Sequence, residues 1–148
     1  MYIQTKYQGE IEIREDQIIC FSQGILGFED HKEFVILDIL GNDHFKFLQD
    51  IHNSYIAFLL INPWDFFKDY DIEIPDKELE KLGIDPYGTN IMVVYNIITM
   101  EDTLQESTAN LLAPIVVNQS HKKGKQFILN NSGYTTKHRL FQEGEEKC

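Results

Sequence analysis

Positive charge, cysteine and long apolar runs are all scarce in this 148-residue chain, and each scarcity excludes something. Lys and Arg total 13 against 24 Asp and Glu, a formal charge of −11 with a pI near 4.7. A protein that grips nucleic acid neutralises phosphates with a basic face, so direct nucleic-acid binding is not expected. The same negative field serves solubility and attracts a basic partner. Cysteine occurs only as Cys20 and Cys148, which give neither a zinc spacing nor a disulfide framework. No apolar run approaches the length that spans a bilayer, and residues 1–13 lack the basic-then-apolar pattern of a signal peptide. The expectation is a cytoplasmic protein without membrane association.

Catalytic and metal motifs are equally thin. The five histidines (His31, His44, His52, His121, His138) share no metal-ligand spacing. No serine sits in a Gly-x-Ser-x-Gly elbow, and Ser22-Gln23-Gly24-Ile25-Leu26-Gly27 lacks the lysine of a phosphate loop. Acids at Asp69, Asp71, Glu73 and Glu80 occupy the first, third, fifth and twelfth places of a calcium loop. Its sixth place needs glycine for the sharp turn and here holds Ile74, so the alternation reads as an edge strand instead. No metal, cofactor or enzymatic activity is expected.

What the chain does contain is short apolar segments separated by turn residues at close spacing. Residues 2–7 and 10–14 alternate around Gln8-Gly9 and read as a hairpin. Further strands are expected at 17–21, 34–37, 45–49, 55–61, 90–98, 113–117 and 126–129, with a Gly-bearing loop at 120–124. Residues 75–83 form the one clear helix, opened by proline and acids and stopped by Gly83. Residues 64–70 offer a second helical turn, and Asp85-Pro86-Tyr87-Gly88 fits a type I turn. The fold class is mainly all-β: a small, closed or partly open antiparallel β-barrel with one or two short helices. One domain is expected over 1–141, with 142–148 a loose polar tail.

Charge is concentrated. From residue 65 to 85 eight acids face three lysines, with Trp64, Phe66, Phe67, Tyr70 and Ile72 interleaved. Aromatics embedded in one sign of charge suit a protein interface whose anchors bury while its rim steers. They equally suit the covered end of a barrel with a wet acidic face.

Several segments carry a family likeness. Phe21-Ser22-Gln23-Gly24-Ile25-Leu26-Gly27-Phe28-Glu29 is similar to a signature F-x-x-G-[IL]-P-G-F-E. Phe47-Leu48-Gln49, Ala57-Phe58 with Asn62-Pro63, and Tyr70 follow in order. The segment from Thr108 through Asn110, Ala113 and Pro114 to Asn118 is similar to T-x-N-L-x-A-P-I-x-x-N, and Gln126 follows it. In this order, across roughly residues 2–140, the chain resembles the flagellar assembly factor family, FliW. Leu26 departs from the pattern, standing where the family has proline, and so loses a fixed φ.

The resemblance implies a small β-barrel-like cytosolic protein without catalytic activity. It also implies two partners: the basic RNA-binding regulator CsrA, which represses translation of flagellin messages, and flagellin itself, which displaces the regulator. On this reading Asp69, Asp71 and Glu73 steer the regulator and Phe66 or Ile72 anchors it. Pro114, which cannot donate to a ladder, leaves unpaired backbone for a partner to read. The competing reading is a general protein- or peptide-binding β-domain such as a secretion chaperone.

Overall fold

The computed structural model describes residues 1–85, 92–130 and 132–141. Its strands are β1 (Tyr2–Gln4), β2 (Glu10–Glu12), β3 (Ile19–Cys20), β4 (Glu33–Ile39), β5 (Asn42–Asp50) and β6 (Ala57–Ile61), followed by helix α1 (Asp76–Lys81). Then come β7 (Met92–Thr99), β8 (Thr108–Ala109), β9 (Ile115–Asn118), β10 (Lys123–Gln126) and β11 (His138–Arg139).

Strands β4 to β7 form an antiparallel meander, β7 pairs with β9, β9 with β10, β10 with β3 and β3 with β4. That circuit closes a seven-stranded barrel and removes its sheet edges. One junction is parallel, β10 with β3 through Lys123 and Cys20. The expected antiparallel barrel is therefore closed, with a single parallel seam.

Alternation along each strand sorts side chains into two sets. Phe34, Leu48, Leu60, Tyr95, Ile115 and Val117 point inward, with Phe21 and Ile25 among them. The outward set is covered in three places. The β1–β2 hairpin lays Ile3 and Ile13 on Val35 and Leu37. Helix α1 and its flanks bring Leu79, Leu82 and Ile84 to Val94 and Val116. Residues 66–72 and the C-terminal segment cover Phe45, Ile61 and Ile98.

One edge of β7 is shared by two strands. Met92–Tyr95 pair with β9, while Ile98 and Thr99 pair with β8. Between them the chain detours outward through residues 110–114. Asn96 fills the gap, donating from Nδ2 to the Asn110 carbonyl at 2.8 Å, and Asn110 Oδ1 accepts from the Ala113 amide at 3.0 Å. The T-x-N-L-x-A-P-I-x-x-N segment is β8, this detour and β9 in succession.

Several boundaries differ from expectation for identifiable reasons. The last barrel strand is 123–126 rather than 126–129, because Gly124 lies under the Phe21 ring where a Cβ would approach within 2.6 Å. The turn before it is therefore 119–122, and its left-handed position falls on Lys122, with φ 54°. Strand β5 begins at Asn42, since Leu40 and Gly41 (φ 79°) suffice to reverse the chain. Residues 71–75 make no ladder: Ile72 and Ile74 alternate because each covers the barrel, not because a strand runs beside them. Helix α1 stands where expected, after Pro75 and before Gly83 at φ 76°. The type I turn at 85–88 and the tail at 142–148 lie outside the described residues. No described helix is long and apolar enough to cross a membrane.

Candidate partner-binding surface

The acidic stretch leaves β6 through a tight cap. Asn62 Oδ1 accepts from the Trp64 amide at 3.1 Å and Pro63 opens a 3₁₀ turn over Pro63–Asp65. The amides of Phe66 and Phe67 return to the Pro63 carbonyl at 3.1 and 2.7 Å. The turn drives Phe66 against Phe45 and Phe141, with ring centres 5.8 and 6.0 Å away.

Tyr70 then fastens the loop. Its side chain is buried, and Oη donates to the Leu111 carbonyl at 2.7 Å while accepting from Asn96 Nδ2 at 3.2 Å. Burial pushes its phenol up to about 12, so the hydroxyl remains a donor at physiological pH. Trp64 Nε1 donates to the Tyr70 carbonyl at 2.8 Å, and Tyr134 Oη accepts from the Asp71 amide at 2.9 Å. Residues 64–71 are thus held at both ends and from behind.

Beyond Tyr70 the extended chain alternates, exposing Asp71 and Glu73 and turning Ile72 and Ile74 toward the barrel. The carboxylates of Asp69, Asp71 and Glu73 have no hydrogen-bond or ion-pair partner among the described residues. Two other acids nearby do have side-chain partners: Asp65 Oδ2 lies 3.0 Å from His44 Nδ1. Glu78 is held below the usual carboxylate range by Lys125 at 2.9 Å and Lys81 at 3.2 Å. Two hollows flank Glu73. One of about 460 Å³ is lined by Asp71, Glu73, Pro75, Ile128, Ser132 and Tyr134. The second, about 270 Å³, is lined by Ile72, Glu73, Ile74, Leu79 and Met92. Among the described residues no three His, Cys, Asp or Glu side chains converge as a metal cage would require.

The structure brings five of the six sequence-singled residues onto one segment and separates the sixth. Asp69, Asp71 and Glu73 are exposed, whereas Phe66 and Ile72 are half-buried supports beneath them. Pro114 is buried and its carbonyl accepts from the Phe127 amide at 2.9 Å. It offers an incoming chain neither surface nor free backbone, so the expectation of a partner contact there is corrected. Ile128, Met92 and Tyr134 were missed. Ile128 is half exposed beside the acids; the only trace in the sequence is its opposite phase to buried Phe127 and Leu129.

The glycine-bearing loop is built around a two-residue corner. Ile25 and Phe28 form an isolated bridge, and Gly24 (φ 67°) has the Glu29 and Phe28 backbone 2.6 Å from where a Cβ would stand. Leu26 uses its amide, donating to Gln126 Oε1 at 2.9 Å, while Gln126 Nε2 donates to the Ala113 carbonyl at 3.1 Å. Proline at this position has no such hydrogen to give. The side chain of Gln126 therefore ties the two signature segments together, and Leu26 replaces a ring constraint with a hydrogen bond.

The family model described as "FliW protein" matches residues 2–140. A flagellar assembly factor FliW of Geobacillus kaustophilus (strain HTA426) is 46% identical over 143 residues, covering 97% of each chain. That of Bacillus subtilis (strain 168) is 42% identical over 148 residues, with full coverage of both. A crystal structure of the flagellar assembly factor FliW superposes with a TM-score of 0.89 at 44% identity, covering 97% of this chain and 99% of the other.

Proposed function

The chain belongs to the FliW family of flagellar assembly factors, and on that premise we propose that it acts by partner switching in the cytoplasm. It binds the basic translational regulator CsrA, lowers that regulator's affinity for flagellin messages, and is itself claimed by free flagellin. Flagellin synthesis is thereby matched to flagellin export. The protein acts as a binding module, not through catalysis or direct contact with nucleic acid.

The observation that carries this reading is the run of three unpartnered carboxylates, Asp69, Asp71 and Glu73, on a segment held in place by Tyr70 and Tyr134. Fixed charge of one sign on a rigid support steers a basic partner and fixes its register. Trp64, Met92 and Ile128 stand exposed around it and supply apolar contact. Ile72 contributes the edge of its half-buried side chain, and Phe66 braces the segment from beneath. A net charge of −11 adds long-range attraction to a cationic regulator.

The test is the combined variant Asp69→Lys, Asp71→Lys, Glu73→Lys, measured for association with CsrA at several salt concentrations. Association should slow by about one to two orders of magnitude at low salt and lose most of its salt dependence. Wild-type kinetics at low salt would remove this surface from the proposal.

A further inference from the structure

The inward-facing set of side chains does not stay apolar to both ends of the barrel. On β4 it runs Phe34, Ile36, Asp38, and on β5 it runs Leu48, Lys46, with Asp38 and Lys46 paired across the ladder. At this mouth a hollow of about 230 Å³ opens, lined by Gln17, Ile19, Ile36, Asp38, Lys46, Tyr95, Gln119 and Lys122. Barrel mouths are common ligand sites, and a hollow this small fits an end group, not a drug-sized molecule.

Two of its polar groups, Lys46 and Lys122, can only donate, Tyr95, Gln17 and Gln119 can donate or accept, and Asp38 alone can only accept. Lys46 is held charged by its hydrogen bond to Asp38, and Asp43 adds to the field. Burial holds the Tyr95 phenol above its ordinary value, so it too keeps its proton. Lys122 has no ion-pair partner among the described residues. It is also, among them, the one non-glycine residue at positive φ, 54°, a conformation glycine adopts more cheaply. A lysine kept where glycine fits better puts its side chain into the lining of this hollow. Asp38, by contrast, is 86% exposed at its side chain and sits where the ladder register shifts. The floor beside these groups is apolar, Ile19 and Ile36.

We propose that this mouth binds a small carboxylate with a short apolar body. Lys46, Lys122 and the Tyr95 hydroxyl take the carboxylate, Ile19 and Ile36 take the body, and Asp38 competes for Lys46 when the site is empty. The carboxylate belongs either to a free short-chain acid or to the terminus of a peptide.

The test is NMR titration of the isotope-labelled full chain with butyrate, acetate, inorganic phosphate and sodium chloride at matched ionic strength. A parallel arm uses an acetylated tripeptide ending in leucine, as free acid and as amide. Amides of Lys46, Tyr95 and Lys122 should shift saturably with butyrate, which binds about tenfold more tightly than acetate because two more methylenes are covered. The free-acid peptide matching or exceeding butyrate, with its amide inert, identifies a chain terminus; butyrate alone identifies a free acid. Asp38→Asn should tighten binding by about threefold to tenfold by removing the competitor. Lys122→Gly should abolish binding while thermal stability is kept, since glycine suits the backbone there. Shifts no larger than chloride gives, phosphate outbinding butyrate, or unchanged affinity in Lys122→Gly would each overturn the proposal.

Discussion

Replacing Tyr70 with phenylalanine removes one oxygen and strands the group it served. The ring is retained, still packed 4.8 Å from Tyr134 and 6.0 Å from Trp64 between centres, so no cavity opens. The Leu111 carbonyl loses its 2.7 Å donor, and Asn96 Nδ2 keeps only the Asn110 carbonyl. A buried polar group left unsatisfied costs about 1–3 kcal/mol, so a loss near 2 kcal/mol is expected. For a chain of this size that corresponds to a fall of roughly 5–8 °C in Tm. Urea unfolding should show a lower midpoint at unchanged slope, because the surface exposed on unfolding does not change. A double-mutant cycle with Asn96→Ala should return a coupling of about 1 kcal/mol. The wild-type phenol titrates near its ordinary value when unfolded but at about 12 when folded. The folded state therefore binds the extra proton between those values, and stability falls as pH rises above about 10. The Tyr70→Phe variant lacks that contribution, so the gap between wild type and variant narrows at alkaline pH. A loss below about 0.5 kcal/mol at neutral pH would show that Tyr70 does not hold the acidic loop through this bond.

Gly124→Ala drives a methyl into the Phe21 ring; a loss of about 1–3 kcal/mol is expected in urea, and a neutral result would refute the tight packing at that seam. Gln126→Ala strands the buried Ala113 carbonyl and leaves the exposed Leu26 amide to water, costing about 1–2 kcal/mol. Because proline cannot use Gln126, Leu26→Pro should be better tolerated in the Gln126→Ala background than in wild type, which a double-mutant cycle measures. Burial holds His138 below its ordinary value, and its Nε2 accepts from the Thr135 amide at 2.8 Å. The unfolded state then takes up the proton first, so stability present at pH 7 declines as pH falls through the ordinary histidine value toward the folded one. His138→Gln should lose that acid-side decline in denaturation midpoints measured from pH 7 to 5.

Legibility followed the physical cause of each pattern. The 10–14 alternation and the capped helix were readable because short-range rules set them, through the pleat and the Pro75 and Gly83 ends. The apolar run Phe127-Ile128-Leu129 misled because Phe127 and Leu129 cover the barrel's outside, while the pairing strand is the polar Lys123–Gln126. What places that strand is the missing side chain of Gly124, and no local pattern announces that Phe21 will lie on it. Ile72 and Ile74 misled in the same way, alternating against a barrel wall without a strand neighbour. At the site, unbalanced acids were visible as composition, and the structure leaves Asp69, Asp71 and Glu73 among those without a partner in the described residues. Tyr134 and Ile128 join them from more than fifty residues away, a proximity created by the detour and the C-terminal cover. The separation of Pro114 has a similar origin, since its carbonyl bonds to Phe127.

Partner switching is tested most directly by a gel shift of a flagellin message bound to CsrA, adding this protein and then flagellin. Free RNA should reappear when the protein is added, and the RNA–regulator complex should return when flagellin follows, with the Asp69→Lys, Asp71→Lys, Glu73→Lys variant failing at the first step. An RNA–regulator complex that wild-type protein leaves intact, at concentrations well above that of the regulator, would contradict the proposed role.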